Sequence, residues 1–403
     1  MTFKPLPRQL RATLALALAA ATAPMAAASD IDWRLSGFAT LGAVHTRSDT
    51  LQFARVGIDA PGGGKTDFGP DSVLGLQLDL RLSERNAAVL QLVTRETQRG
   101  DYQPRPALAF VSHAFTPELT VRAGRLRSPF FMLSDTADIN YSQAWVRPPV
   151  EVYGLNPFSD IDGVDLLYRT RVHDAFVELH PYAGRSRIPV VDGGRARLED
   201  LWGMAMTVEA GSLTLSAGYA KANLDVDRSS PELASYMDRN NFPAALRAEL
   251  NGSGADASFS SVGAQWDDGV WRLSAEVARS SAERFTSSAT GAYFSAGRRF
   301  GAFLPYLTVA RQWEDAPLVD TSAWIGFEAA LAPFNRTRNQ AQKSLTAGVR
   351  WDFRTDAALK AELTHVRTGD GAQGSFFARN DTVTEGLDNQ IINLLSVSVD
   401  VVF

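Results

Sequence analysis

The stretch Leu394-Leu395-Ser396-Val397-Ser398-Val399-Asp400-Val401-Val402-Phe403 decides the fold. In a strand, alternate side chains point to opposite faces. Leu395, Val397, Val399, Val401 and Phe403 then share one face, while Ser396, Ser398 and Asp400 share the other. One face suits lipid and the other suits water. The stretch stops on an aromatic residue, Phe403.

The same alternation recurs along the chain. Leu74, Leu76, Leu78 and Leu80 oppose Gln77, Asp79 and Arg81. Trp271, Leu273, Ala275 and Val277 oppose Arg272, Ser274 and Glu276. Leu345, Ala347, Val349, Trp351 and Phe353 oppose Thr346, Arg350 and Asp352. A soluble sandwich would also alternate, with its apolar face in a core. Here aromatics gather near strand ends (Trp266, Trp271, Trp313, Trp351, Phe353, Phe403), as interfacial girdles do.

Counting these segments predicts strands over 33–45, 72–83, 87–97, 106–115, 118–127, 162–171, 175–184 and 201–209. The rest follow over 212–221, 257–266, 270–279, 290–300, 303–313, 343–353, 358–368 and 390–403. Each is about ten residues long, the length a tilted strand needs to cross a bilayer. Tight turns such as Ala210-Gly211 and Asp267-Asp268-Gly269 alternate with long loops. The prediction is an all-β, transmembrane antiparallel barrel of sixteen strands, with short periplasmic turns and long external loops. No helix-period segment of ordinary length stands out.

Residues 1–28 read as a cleaved secretory signal and 29–403 as the barrel. Lys4, Arg8 and Arg11 precede a short apolar run, and Ala26-Ala27-Ala28 offers a cleavage site before Ser29. Removing that segment leaves 37 basic residues against 45 acidic ones. Such a balance argues against a nucleic-acid partner. The chain has no cysteine, and it needs none in an oxidising periplasm.

Three stretches carry a family likeness. They are Gly348-Val349-Arg350-Trp351-Asp352-Phe353 with Ala358-Leu359-Lys360-Ala361-Glu362, the closing strand from Val397 to Phe403, and Arg122-Ala123-Gly124-Arg125-Leu126-Arg127-Ser128-Pro129. In these the chain resembles the Gram-negative outer-membrane porins, in particular the phosphate-selective and dicarboxylate-type group. The resemblance implies a barrel in outer-membrane lipid, commonly a homotrimer. It implies a third loop folded inward, and a closing strand ending at Phe403 that serves as the signal for the barrel-assembly machinery.

Porins select solutes by pore width and by rings of charge. Segment 128–161 is the candidate constriction loop, long, aromatic and stiffened by Pro148-Pro149. Its candidate residues are Asp135, Asp138, Tyr141, Arg147, Glu151 and Asp160, with Asp162 just beyond. Candidate pore-wall cations are Arg81, Arg95, Arg122, Arg169, Arg272, Arg350 and Lys360. Candidate wall acids are Asp79, Asp165, Glu178, Glu276, Asp352 and Glu362. Arginines facing loop carboxylates would set a transverse field across a narrow pore. Beyond the signal the lysines are Lys65, Lys221, Lys343 and Lys360, few for a phosphate-specific pore.

The function read from this is a passive channel for small hydrophilic, charged solutes. No catalysis, cofactor or metal is expected. The five histidines are scattered, with no zinc-type spacing. Pro61-Gly62-Gly63-Gly64-Lys65-Thr66 lacks the first glycine of a phosphate loop, since position 59 is Asp59. Two other readings exist. One is a barrel plugged by loops 185–200, 221–257 and 314–342, with an adhesive or structural role. The other is a lipase-type enzyme, whose nearest pair, Ser112 and His113, would point to opposite faces of a strand.

Overall fold

The computed structural model describes residues 32–55, 65–97, 100–190, 194–228, 231–379 and 386–403. The expected signal and the Pro61-Gly64 run lie outside these. One sheet has 17 members, comprising sixteen long strands and the two-residue strand Thr66–Asp67. The long strands begin with β1 (Asp32–Arg47), β2 (Val73–Arg81), β3 (Asn86–Glu96), β4 (Tyr102–Ala114), β5 (Leu119–Arg127), β6 (Asp160–Val172), β7 (Ala175–Pro189) and β8 (Arg195–Ala210). They continue with β9 (Leu213–Asp227), β10 (Gly252–Asp267), β11 (Trp271–Ala282), β12 (Ser288–Arg298), β13 (Phe303–Ala316), β14 (Gln342–Arg354), β15 (Ala357–Thr368) and β16 (Ile391–Val402). Every expected strand is present, and each pairs antiparallel with its neighbours.

The barrel closes where β1 meets β16, in register from Phe38↔Val402 to Arg47↔Asn393. The last residue completes this seam. Gly37 N donates to Phe403 O at 2.7 Å, and Phe403 N donates to Gly37 O at 2.9 Å. Gly37 has room for this because it lacks a side chain. A Cβ there would lie 2.5 Å from the Phe403 ring.

The closing strand separates its two faces as its sequence requires. Leu395 is 52% exposed and Val397 40%, whereas Ser396 and Asp400 are 0% exposed. The apolar side chains therefore stand on the outside of the barrel. The girdle follows the same logic. Trp266, Trp271, Trp313, Trp351, Phe353 and Phe403 are all exposed on the outer surface. Phe303 stacks on Trp351 at 5.7 Å. Turns at the rim that carries the termini are tight. Gly211 (φ 60°) and Gly301 (φ 59°) supply the left-handed conformation such hairpins need.

Two features depart from the sequence reading. First, β7–β10 run 15 or 16 residues, well past the expected ends, while β2 and β5 have nine. At about 3.3 Å per residue, the long strands run roughly 20 Å further along their own direction than the short ones. The polarity of β9 inverts as it rises. Leu213, Leu215 and Tyr219 share the outer face lower down, and Lys221, Asn223 and Asp225 continue that face above. On the inner face, Thr214 and Ser216 give way to buried Ala220, Ala222, Leu224 and Val226. Much of the segments 185–200 and 221–257, expected as loops, is thus strand.

Second, short helices form in the long loops: Pro231–Arg239, Ala244–Leu250 and Glu328–Arg338. Phe242, Leu246, Leu250, Leu318, Val319 and Leu331 make a small core between these two loops. Each helix is short, and its apolar side chains pack within and between the two loops rather than on the barrel, as Tyr236 does on Phe242 and Phe334. A single-segment periodicity reading therefore passes over them.

Candidate functional site

The segment between β5 and β6 leaves the wall and crosses the barrel interior. Its short turns, Ser134–Thr136 and Asn140–Ser142, keep it compact. Pro148-Pro149 then hold the chain extended before the single helical turn Val150–Tyr153, which closes at Gly154 where its N–H donates to Val150 O. Trp145 is buried, and its indole N–H donates to Thr308 Oγ1 at 2.9 Å and to Ser295 Oγ at 3.2 Å.

Strands β10–β16 hold this loop through inward side chains. Ser261 donates to Phe130 O at 2.6 Å. Glu276 accepts from Met132 N at 2.8 Å and from Tyr153 Oη at 2.5 Å. Arg350 donates to the carbonyls of Tyr141 and Gln143 at 2.5 and 2.7 Å. Lys360 donates to the carbonyls of Asn140 and Trp145 at 2.6 and 2.8 Å and pairs with Asp400 at 2.8 Å. Glu362 accepts from Val146 N at 2.9 Å and from Tyr306 Oη at 2.7 Å. Gln342 donates to Glu151 Oε1 at 2.8 Å. The partners here are carbonyls, amides, tyrosine hydroxyls and charges that would otherwise be orphaned away from bulk water, so the bonds to the loop matter to its position.

From the loop itself, Arg147 grips Asp71 through two bonds of 2.7 and 2.5 Å and donates to Ser396 of β16 at 2.9 Å. Its guanidinium also lies 4.5 Å from the Phe53 ring. Asp138 pairs with Arg127 at 2.7 Å and Arg95 at 3.1 Å. Burial alone would push the Asp138 carboxyl up. The charges of Arg127, Arg95, Arg105 and Arg55 outweigh that and hold it well below the ordinary carboxylate range.

The candidate residues therefore fall into groups. Asp138, Arg147 and Glu151 are drawn into loop-to-wall bonds, and Tyr141 reaches the far turn, donating to Thr355 O at 2.7 Å. Asp160 sits beside Arg105 at 3.3 Å, and Asp162 pairs with Arg125 at 2.7 Å. Asp135 is exposed. Arg350, Lys360, Glu276 and Glu362 lie on the inner wall beneath the loop and serve as its anchors. Arg272 joins them weakly, 3.5 Å from Ser142 O, and Asp352 pairs with Arg350 at 2.7 Å.

Arg122 and Asp165 form a cluster with His180 across β5–β7, at 2.5 Å and 2.7 Å from the same carboxylate oxygen. Arg169 pairs with Glu178 at 2.5 Å, nearer the terminal rim. Asp79 accepts from Gln77 at 3.0 Å, and Arg81 is exposed at the end of β2. The expected arrangement, wall arginines facing loop carboxylates across a gap, is replaced at Asp138 by direct contact. The 134–136 turn leans the loop back onto β3 and β5.

Sequence reasoning passed over Asp71, Arg127, His180 and the pairing of Asp400. Asp400 and Lys360 were within reach, because both occupy inward positions on adjacent strands, with Lys360↔Ser398 in register. Asp71 lies in a connecting segment and carried no periodic signal.

Comparison with solved structures follows this geometry. An anion-selective porin from Comamonas acidovorans aligns with a TM-score of 0.54 at 14% identity, covering 93% of this chain and 100% of that one. The outer membrane channel DcaP of Acinetobacter baumannii aligns at 0.54 and 11% identity, covering 94% and 100%. OmpT, an outer membrane protein of Vibrio cholerae, aligns in its trimer form at 0.53 and 12% identity, covering 93% and 100%. No family model matches the sequence, and no curated protein matches it. At these identities the likeness is one of fold: the chain is a closed sixteen-stranded antiparallel barrel with the architecture of outer-membrane porins and channels.

Proposed function

We propose that this chain forms a water-filled diffusion channel in the outer membrane of a Gram-negative bacterium, passing small hydrophilic, charged solutes. The carrying observation is the loop 128–159, drawn inside a barrel whose outer face is apolar and whose inner face is polar at membrane depth. Sixteen-stranded barrels are wide enough to leave an aqueous lumen. Held by Arg350, Lys360, Glu362 and Arg147, the loop narrows that lumen and sets the size limit. Charges along the wall, the exposed Arg81 and the pairs Arg122–Asp165 and Arg169–Glu178 among them, bias which solutes pass. On this reading residues 1–28 direct export through the periplasm, the closing strand ending at Phe403 is read by the barrel-assembly machinery, and the barrel assembles as a homotrimer. The test is swelling of liposomes carrying the purified protein, in a series of solutes of rising size. Swelling that falls steeply with size is expected. No swelling with the smallest solutes would refute the channel and favour a plugged, structural barrel.

A further inference from the structure

The tall ends of β7–β10 enclose a cavity of about 330 Å³ against loop residues 154–158. That volume sits at the small end of the range for ligand pockets, room for a molecule of about one ring. Its walls are hydrocarbon. Leu198, Ala222, Leu224 and Val226 face it from the strands, and Phe130 and Phe259 add ring surface, 5.4 Å apart. A general hydrophilic solute gains nothing from such a wall, and water holds it against polar lining equally well. An apolar body gains roughly 25 cal/mol for each Å² it hides there.

The charges around the cavity have one sign. Arg55, Lys221, Arg228 and Arg338 line it, and no Asp or Glu does among the described residues. Lys221 turns its ammonium outward to Asp256, at 3.1 Å. Arg228 donates to the carbonyls of Leu250 and Phe285, which engage two of its donors and leave its charge uncompensated. Arg55 is exposed, and among the described residues it makes no hydrogen bond or ion pair, although it lies within the fields of Asp138 and Asp71 and of Arg105 and Arg147. A guanidinium with free donors is shaped to take a carboxylate through two parallel bonds.

We propose that this cavity is a subsite for a small aromatic monocarboxylate, its ring against the Leu224 and Phe259 wall and its carboxylate on Arg55. The inference rests on the channel reading above and names the solute class that channel favours. Because a conducted solute must also leave, the site binds it weakly.

The experiment is ligand-observed saturation-transfer NMR on the detergent-solubilised full-length barrel with benzoate, acetate and benzyl alcohol, beside bilayer conductance of the same preparation. Benzoate is expected to bind at least about tenfold more tightly than either competitor, because each lacks one of the two interactions. Arg55→Gln should weaken benzoate about fivefold, and Ala222→Glu by about tenfold or more, through like-charge repulsion and a filled wall. Arg55 lies on a loop outside the barrel ladder, so its substitution spares the closure. Equal binding of benzoate and acetate, or of benzoate and benzyl alcohol, overturns the proposal, as does benzoate binding that Arg55→Gln leaves unchanged. A barrel that conducts without this discrimination refutes the subsite alone. A barrel that binds benzoate yet never conducts refutes the channel and keeps the binding site.

Discussion

Replacing Lys360 by Met tests how the inward loop is held. Lys360 and Asp400 both have fully buried side chains, and they meet at 2.8 Å. Lys360 also supplies the donors for the Asn140 and Trp145 carbonyls. Methionine keeps the length and loses all three interactions. Leaving one member of a buried pair uncompensated costs about 3–5 kcal/mol. Each orphaned carbonyl adds about 1 kcal/mol. Arg350 and Glu362 still hold the neighbouring residues, so the loop loosens at its centre while the barrel ladder stays intact. The assay is urea unfolding in lipid vesicles, followed by tryptophan fluorescence, with single-channel current noise recorded alongside. The expected result is a stability loss of about 5–7 kcal/mol and noisier open current. Adding Asp400→Leu removes the stranded charge, and the double variant should recover more than half of the loss. Stabilities of the two single variants that simply add in the double variant would refute the reasoning, since the pair would then be uncoupled.

Three further outcomes follow from the same contacts. Arg147→Gln strips Asp71 of its main partner and should raise single-channel conductance by freeing the loop from the β16 side; an unchanged conductance would show that this contact does not position the loop. Gly37→Val drives a side chain into the Phe403 ring at the seam, which overpacks it by about 1–3 kcal/mol; the folded, heat-modifiable band should appear more slowly in vesicles, and wild-type assembly rates would contradict the seam argument. The Asp138 carboxyl is held below its ordinary value, so its contribution is present above about pH 4 and lost only as the pH falls further. Its ion pairs with Arg127 and Arg95 should therefore persist from pH 7 to about pH 4, whereas a loop-release transition above pH 4 that Asp138→Asn mimics at neutral pH would refute this.

The strands were legible because lipid and water sit on opposite sides of one sheet, so period-two alternation survives wherever the strand lies in the membrane. It fails where the strand leaves it. Beyond Lys221 the outer face of β9 meets water and the inner face meets an apolar cavity. The pattern inverts there, and the expected strand stops at 221. The inward loop was legible from its aromatic and proline content. Its anchors were half legible. Lys360, Arg350, Glu276 and Glu362 stand out as inward charges, but a sequence cannot say that a loop will lie over them. Asp71 was not legible at all, because its role depends on a contact 76 residues away in sequence. The small core between the two helical loops was hidden for the same reason.

The most direct test of the account is single-channel recording of the purified protein in planar bilayers, wild type beside Lys360→Met. The account predicts discrete, reproducible conductance steps for the wild type and noisier steps for the variant. A protein that inserts, folds and shows no conductance in either form would contradict it.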